Sequence, residues 1–269
     1  MTPPPDDDAR TLLINGAVAG VLATGLMILV HEFAHLVAGL ILGYGGTLYS
    51  YGVVPAGSPS AVDNGIIALA APVFSLASGL VMTQWLPLRS RGGFGHLLWL
   101  LFGFASMMEG IGYLVIAPFG AGDTAAAVAY LSWPGWVPWA MFVAGIGLQF
   151  TLAWMYAPHV GRIAGPKKGR QLAFALWAWL IATGFTAALM IITVSRARMQ
   201  LTDGEVTAII AASTALLVFS PMALIFARRV TAAPYEPLGL RPIPVTGILT
   251  LILLLLGQQA LNLGLPIGL

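Results

Sequence analysis

From Thr11 to Leu42 the chain carries no charged side chain except Glu32, and the run is apolar at almost every other position. A bilayer core needs about 20 such residues from a helix. In hydrocarbon every backbone N–H and C=O must be satisfied within the protein, which leaves a helix or a closed barrel. Apolar runs of this length select the helix. Similar runs recur at about 62–85, 94–117, 136–156, 172–194, 206–226 and 245–263, separated by Gly-, Pro- and Arg-containing stretches. The sequence therefore predicts an all-α polytopic membrane protein with about seven transmembrane helices. Only 8% of residues are charged, against about 25% in soluble domains.

Three regions are expected: a disordered tail over 1–10, a membrane core over 11–130 and accessory transmembrane helices over 131–269. The tail, MTPPPDDDAR, is acidic and proline-rich, unlike the basic start of a secretory signal. Of the twelve Lys and Arg residues, all but Arg196 and Arg198 fall on the side of the N-terminus when seven spans are threaded. This bias, which includes Arg89 and Arg91, predicts a cytoplasmic N-terminus. No basic stripe for nucleic acid is present, so the bilayer and membrane-embedded substrates are the expected partners. The absence of cysteine excludes disulfides, thiolate metal sites and cysteine nucleophiles.

Within the first run lies His31-Glu32-Phe33-Ala34-His35, which has the spacing HExxH. Residues i and i+4 share a helix face, so both imidazoles can reach one metal ion, with Glu32 beside it as a general base. Ionisable groups deep in a membrane helix are costly and usually face partners rather than lipid. A catalytic zinc takes three protein ligands and keeps a fourth position open. Asp6, Asp7 and Asp8 lie in the tail, Asp63 at the entry to the second span, Asp203 and Glu205 in the loop after the fifth, and Glu236 in the proline-rich linker 231–244. Glu109 and Asp123 remain as third ligand. Glu109 is nine residues before Pro118, and His35 and His31 are eight and twelve before Gly43. All three groups should then lie roughly 12–18 Å below the same surface. Depth favours Glu109. Asp123 reaches the metal only if the segment PFGAGD folds back, and the carboxylate that is not a ligand is expected to support one.

The segment 43–60 is rich in Gly, β-branched and aromatic residues and reads as a short hairpin near the membrane surface, able to pair with an unwound peptide. In the second span Ala70-Ala71-Pro72 combines small residues that permit close helix contact with a proline that disrupts the ladder. His96 and His159 are expected at membrane boundaries, and Trp133, Trp136 and Trp139 in an interfacial belt.

With HEFAH in the first core helix, Ala70-Ala71-Pro72 in the second and Glu109-Gly110 in the third, the chain resembles the site-2 protease family of intramembrane zinc metalloproteases. The resemblance covers residues 11–130 and implies a three-helix core, zinc (Zn2+), and hydrolysis of peptide bonds in membrane protein substrates with Glu32 as general base. In that family the third helix contributes an Asp-Gly pair whose aspartate binds zinc, and a proline stands four or five residues before it. Glu109-Gly110 departs from the first pattern, whereas Pro118 stands five residues before Asp123 and meets the second. Family members generally act towards the cytoplasm; the charge bias here puts the site nearer the opposite face. Two other readings use the same residues: a metal-binding membrane protein without proteolysis, either a degenerate protease relative or a transporter, and a purely structural hydrogen-bonded cluster.

Overall fold

The computed structural model describes residues 7–86, 92–196, 201 and 203–268. Asp6, Arg89, Arg91 and Arg198, used in the sequence reading, lie outside the described residues, as do the side chains of Asp203 and Glu205. The chain is mostly helical. Helix α1 (Ala9–Ile41) leads into a hairpin of β1 (Gly46–Tyr49) and β2 (Gly52–Pro55). Next come α2 (Ala61–Leu80), extended by a π-helical turn to Trp85, and α3 (Gly93–Ile116), extended by a 3₁₀ turn, Ala117–Phe119. A short α4 (Gly122–Tyr130) precedes α5 (Val137–Ala164) and α6 (Lys168–Ser195), which has a π segment at Ala173–Trp177. The sixth apolar span, Ile209–Ala232, is broken into α7 (Asp203–Ala215) and short pieces from Phe219 to Ala232.

Among the described residues, six helices are long and apolar enough to cross a membrane. The seventh expected span is α8 (Val245–Leu261), an apolar helix of 17 residues, or about 26 Å against a hydrocarbon core of about 30 Å. It runs parallel to α1: Asn15 Nδ2 donates to the carbonyl of Arg241 just before α8, and Gln258 Nε2 donates to that of Gly25. A strand that all-α reasoning did not anticipate, β3 (Leu265–Ile267), then pairs antiparallel with β1. The sheet order is β2-β1-β3, so the expected hairpin is present and the chain's last strand closes the other side of β1.

Part of the expected tail is ordered. Asp8 caps α1 by accepting from the Thr11 N–H (2.6 Å). Asp7 is buried, its two oxygens accepting from the N–H groups of Leu238 and Leu240 (3.0 and 2.7 Å). Burial pushes the Asp7 carboxyl up in pKa, against the pull of those backbone donors. The expected basic loop after Tyr156 is also largely helical. Helix α5 continues to Ala164, with Arg162 buried and its guanidinium 3.1 Å from the buried His96 Nε2 near the start of α3. Packing does not break near residue 130: Leu12 of α1, Phe104 of α3, Tyr156 of α5 and Phe219 belong to one buried cluster.

Helices α2 and α3 approach closely through glycine. A Cβ at Gly79 would lie 2.5 Å from the Gly103 carbonyl oxygen, and one at Gly110 would lie 2.7 Å from that of Pro72. Small residues thus bring the backbones of the two helices together. Gly79→Val is expected to destabilise the protein by about 1–3 kcal/mol through overpacking. Gly112→Ala, with open space at its Cβ position, is expected to change stability by less than about 1 kcal/mol. Reversible unfolding in detergent checks both.

Candidate metal centre

The centre is assembled from α1, α3 and α4, with α2 behind it. His31 and His35 lie one turn apart on α1, both buried, with their Nε2 atoms 3.2 Å apart. Asp123 comes from the N-terminal turn of α4. Its Oδ2 lies 2.9 Å from His31 Nε2 and 3.1 Å from His35 Nε2. What brings it there is the fold-back of PFGAGD: the 3₁₀ turn ends at Gly120 (φ 71°) and Gly122 also has positive φ (75°), reversing the chain after α3. Helix α4 then packs on α2, where a Cβ at Gly65 would meet Leu131 Cγ at 2.6 Å.

Glu109 is buried beside His31, but on the side of the ring away from Asp123. Its Oε1 is 3.4 Å from His31 Nδ1, with Ser75 Oγ 3.5 Å from the same nitrogen. Of the two carboxylates, Asp123 is therefore the one beside both Nε2 atoms, and Glu109 is outside the His31–His35–Asp123 group whose ligand atoms converge. The sequence preference for Glu109 fails because it compared positions along the spans only. It could not foresee the re-entry of α4.

An outer contact fixes the proton of His35. His35 Nδ1 lies 2.7 Å from the Ile67 carbonyl oxygen, in the region of α2 that Pro72 disrupts. A carbonyl only accepts, so Nδ1 carries the hydrogen and donates. His31 Nδ1 has the Glu109 carboxylate at ion-pair distance and the Ser75 hydroxyl as hydrogen-bond partner. The two Nε2 atoms then face each other and one carboxylate oxygen. A positive charge among them, a proton or a metal ion, lets the three atoms stand 2.9–3.2 Å apart. A tetrahedral ion bound at about 2.0–2.1 Å has its ligand atoms about 3.3 Å apart, so the spacing fits one metal ion, and the outer partners give the histidines the support that metal ligands usually have.

Glu32 is buried and lines, with His35, Glu109 and Asp123, a cavity of about 590 Å³. Gly52, Val53 and Pro55 of β2 form part of its wall. Asp63 is not part of the centre: it takes the hydroxyls of Tyr44 and Ser60 at the start of α2. Sequence reasoning missed Tyr113, whose ring stacks on His31 (centroids 5.2 Å apart, planes 10° apart). Its spacing of four from Glu109 put it on the same helix face and was the available signal. No protein-family model matches this chain, and no match was found among curated proteins or solved structures.

Purified protein is expected to hold about one divalent ion per chain by elemental analysis, and His31→Ala, His35→Ala and Asp123→Ala to lose it. Glu109→Ala, which removes an outer partner, is expected to keep the ion with affinity lowered about 10–100-fold.

Proposed function

We propose that the chain is an intramembrane zinc metalloprotease of the site-2 protease type, with His31, His35 and Asp123 as zinc ligands and Glu109 as the outer partner of His31. The observation that carries the reading is the convergence of two imidazole nitrogens and a carboxylate oxygen beside a buried, separate carboxylate, Glu32, in one cavity. A structural cluster would not need the two Nε2 atoms to face each other. Two nitrogens, one oxygen and no sulfur suit zinc, which leaves a fourth position for chemistry. Zinc bound there supplies Lewis acidity, lowering the pKa of water and polarising a carbonyl.

The protein's own groups supply the rest. Glu32 takes a proton from the attacking water and passes it to the leaving nitrogen. His35 and His31 are held in orientation by Ile67 and Glu109. A substrate helix shields its amides by its own hydrogen bonds, so the scissile segment has to be extended before attack. Strand β2 is an edge strand, paired in the sheet only with β1 among the described residues, and three of its residues line the cavity. It is therefore suited to holding a peptide by β-pairing next to the centre.

The test compares wild type with Glu32→Gln, both zinc-loaded, in proteoliposomes containing a panel of single-span membrane proteins. The expected result is cleavage within or near a span by wild type, and a loss of about 10²–10⁴-fold in Glu32→Gln with zinc content unchanged. Equal cleavage by both would remove Glu32 from catalysis. Full zinc occupancy without cleavage of any panel member would instead favour the metal-binding reading.

A further inference from the structure

Helix α8 carries two rows of side chains at the spacing of a helix–helix seam; one packs on the rest of the chain and the other is exposed. Gly247, Leu251, Leu254 and Gln258 recur at four, three and four residues. A Cβ at Gly247 would clash with the Phe94 ring of α3, and one at Gly25 of α1 would lie 2.9 Å from Leu254 Cδ2. Gln258 Nε2 completes this inner row by donating to the Gly25 carbonyl at 3.2 Å. Leu249, Ile252, Leu256 and Gln259 recur at three, four and three residues, centred about 150° round the helix from the inner row. All four are exposed. We infer that this outer row is the contact face of a homodimer, with α8 packed in parallel on α8 of a second copy and the Gln259 amides paired across the two-fold axis.

Leucine and isoleucine facing lipid need no partner, whereas a primary amide does. Gln258 is level with Gly25, which stands midway between Ala9 and Ile41 of α1, so Gln259 lies near the middle of the longest span. That is about 24 Å along the helix from either end, deep in hydrocarbon, where an amide without a hydrogen bond is costly. Among the described residues Gln259 has no hydrogen-bond partner. In a bilayer such a side chain is satisfied by a neighbouring helix, and Gln258 on the inner row does this against α1. Symmetry selects a second copy as the neighbour for Gln259. Copies inserted in the same direction are related by a two-fold axis along the membrane normal, which sets α8 parallel to its equivalent and Gln259 opposite Gln259. An amide both donates and accepts, so it can pair with its own twin. Alternating spacings of three and four belong to a left-handed helix pair, in which the row stays on the seam over several turns. No residue of the metal centre takes part, and the contact stands independently of the function proposed above.

The chain has no cysteine, so single-cysteine variants of the full-length protein each report one position. Leu249→Cys, Leu256→Cys and Thr250→Cys are oxidised in membranes with copper phenanthroline. Thr250 is also exposed but lies about 140° round the helix from the outer row. Disulfide-linked product of twice the chain mass is expected from Leu249→Cys and Leu256→Cys and little from Thr250→Cys. A second measurement follows energy transfer between donor- and acceptor-labelled copies in liposomes as lipid is added. Gln259→Leu, which keeps the apolar surface, is expected to elute like wild type and to self-associate about 3–30-fold more weakly. Were it to elute as aggregate, the cysteine series alone would decide. Equal cross-linking from Thr250→Cys and Leu256→Cys, or self-association that folded Gln259→Leu leaves unchanged, would overturn the proposal. Adducts with a chain of different mass would also overturn it, assigning the face to another membrane protein.

Discussion

Two imidazole nitrogens on buried histidines and one oxygen of a partly exposed aspartate are turned towards each other, an arrangement that needs a positive charge among them to hold together. Much of the bundle can be understood as what is needed to hold it. Each imidazole has an outer partner at Nδ1, the Ile67 carbonyl for His35 and the Glu109 carboxylate for His31. Without those partners either ring could turn over, and the set would relax into an ordinary hydrogen-bonded cluster. The outer partners come from α2 and α3, so the close approach of these two helices is a condition of the chemistry as well as of the fold. Glycines at 79, 103 and 110 permit it. A membrane interior offers little hydrophobic drive for helix association, and close contact has to come from packing and polar contacts.

The helical character, the limits of most spans and the HExxH pair were legible because each depends on local sequence. An apolar run of sufficient length has one main solution in a bilayer, and residues four apart on a helix have one relative placement. The burial of Glu109 beside His31 was legible too, since it follows from counting residues along two helices that cross in the same direction. The place of Asp123 depends on a reversal after α3 that two positive-φ glycines permit, and on packing of α4 against α2 through Gly65. Gly120 and Gly122 are visible in the sequence as turn formers, but nothing local says which way the turn directs the chain. The third strand was hidden for a related reason. Leu265–Ile267 has no pattern of its own, and its partner lies over 200 residues earlier.

A division at residue 130 made sense as a reading of motifs, since every chemistry-bearing residue except the linker and loop acids precedes it. The packing gives the second half a different meaning. Helix α1 carries His31, Glu32 and His35 within little more than one turn, and a helix of 33 residues can rotate or slide unless both ends are fixed. Its start is held by Asp7 on Leu238 and Leu240 and by Asn15 on Arg241. Its middle is held by Gln258 on Gly25, and the hairpin that follows it is held by β3. All of these partners lie after residue 230. A rotation of α1 by one residue, about 100°, would carry both imidazoles away from Asp123. The C-terminal segment therefore sets the angle of α1 from outside the centre.

The same arrangement bears on where a peptide can enter. With β3 on one side of β1, an incoming strand cannot reach β1 and has to use an outer edge of the sheet. Of the two outer strands, β2 contributes to the cavity wall through Gly52, Val53 and Pro55, whereas no residue of β3 does so among the described residues. Closing one side of the hairpin with the chain's own C-terminal strand thus leaves β2 as the outer edge that lines the cavity with Glu32, His35 and Asp123. Proline at 55 cannot donate to a ladder, which limits the register in which a partner strand can pair along β2. A peptide held there would be fixed by its backbone, and its side chains would meet the cavity in alternation. Sequence preference would then be weak along the strand and concentrated at the residues that point inwards.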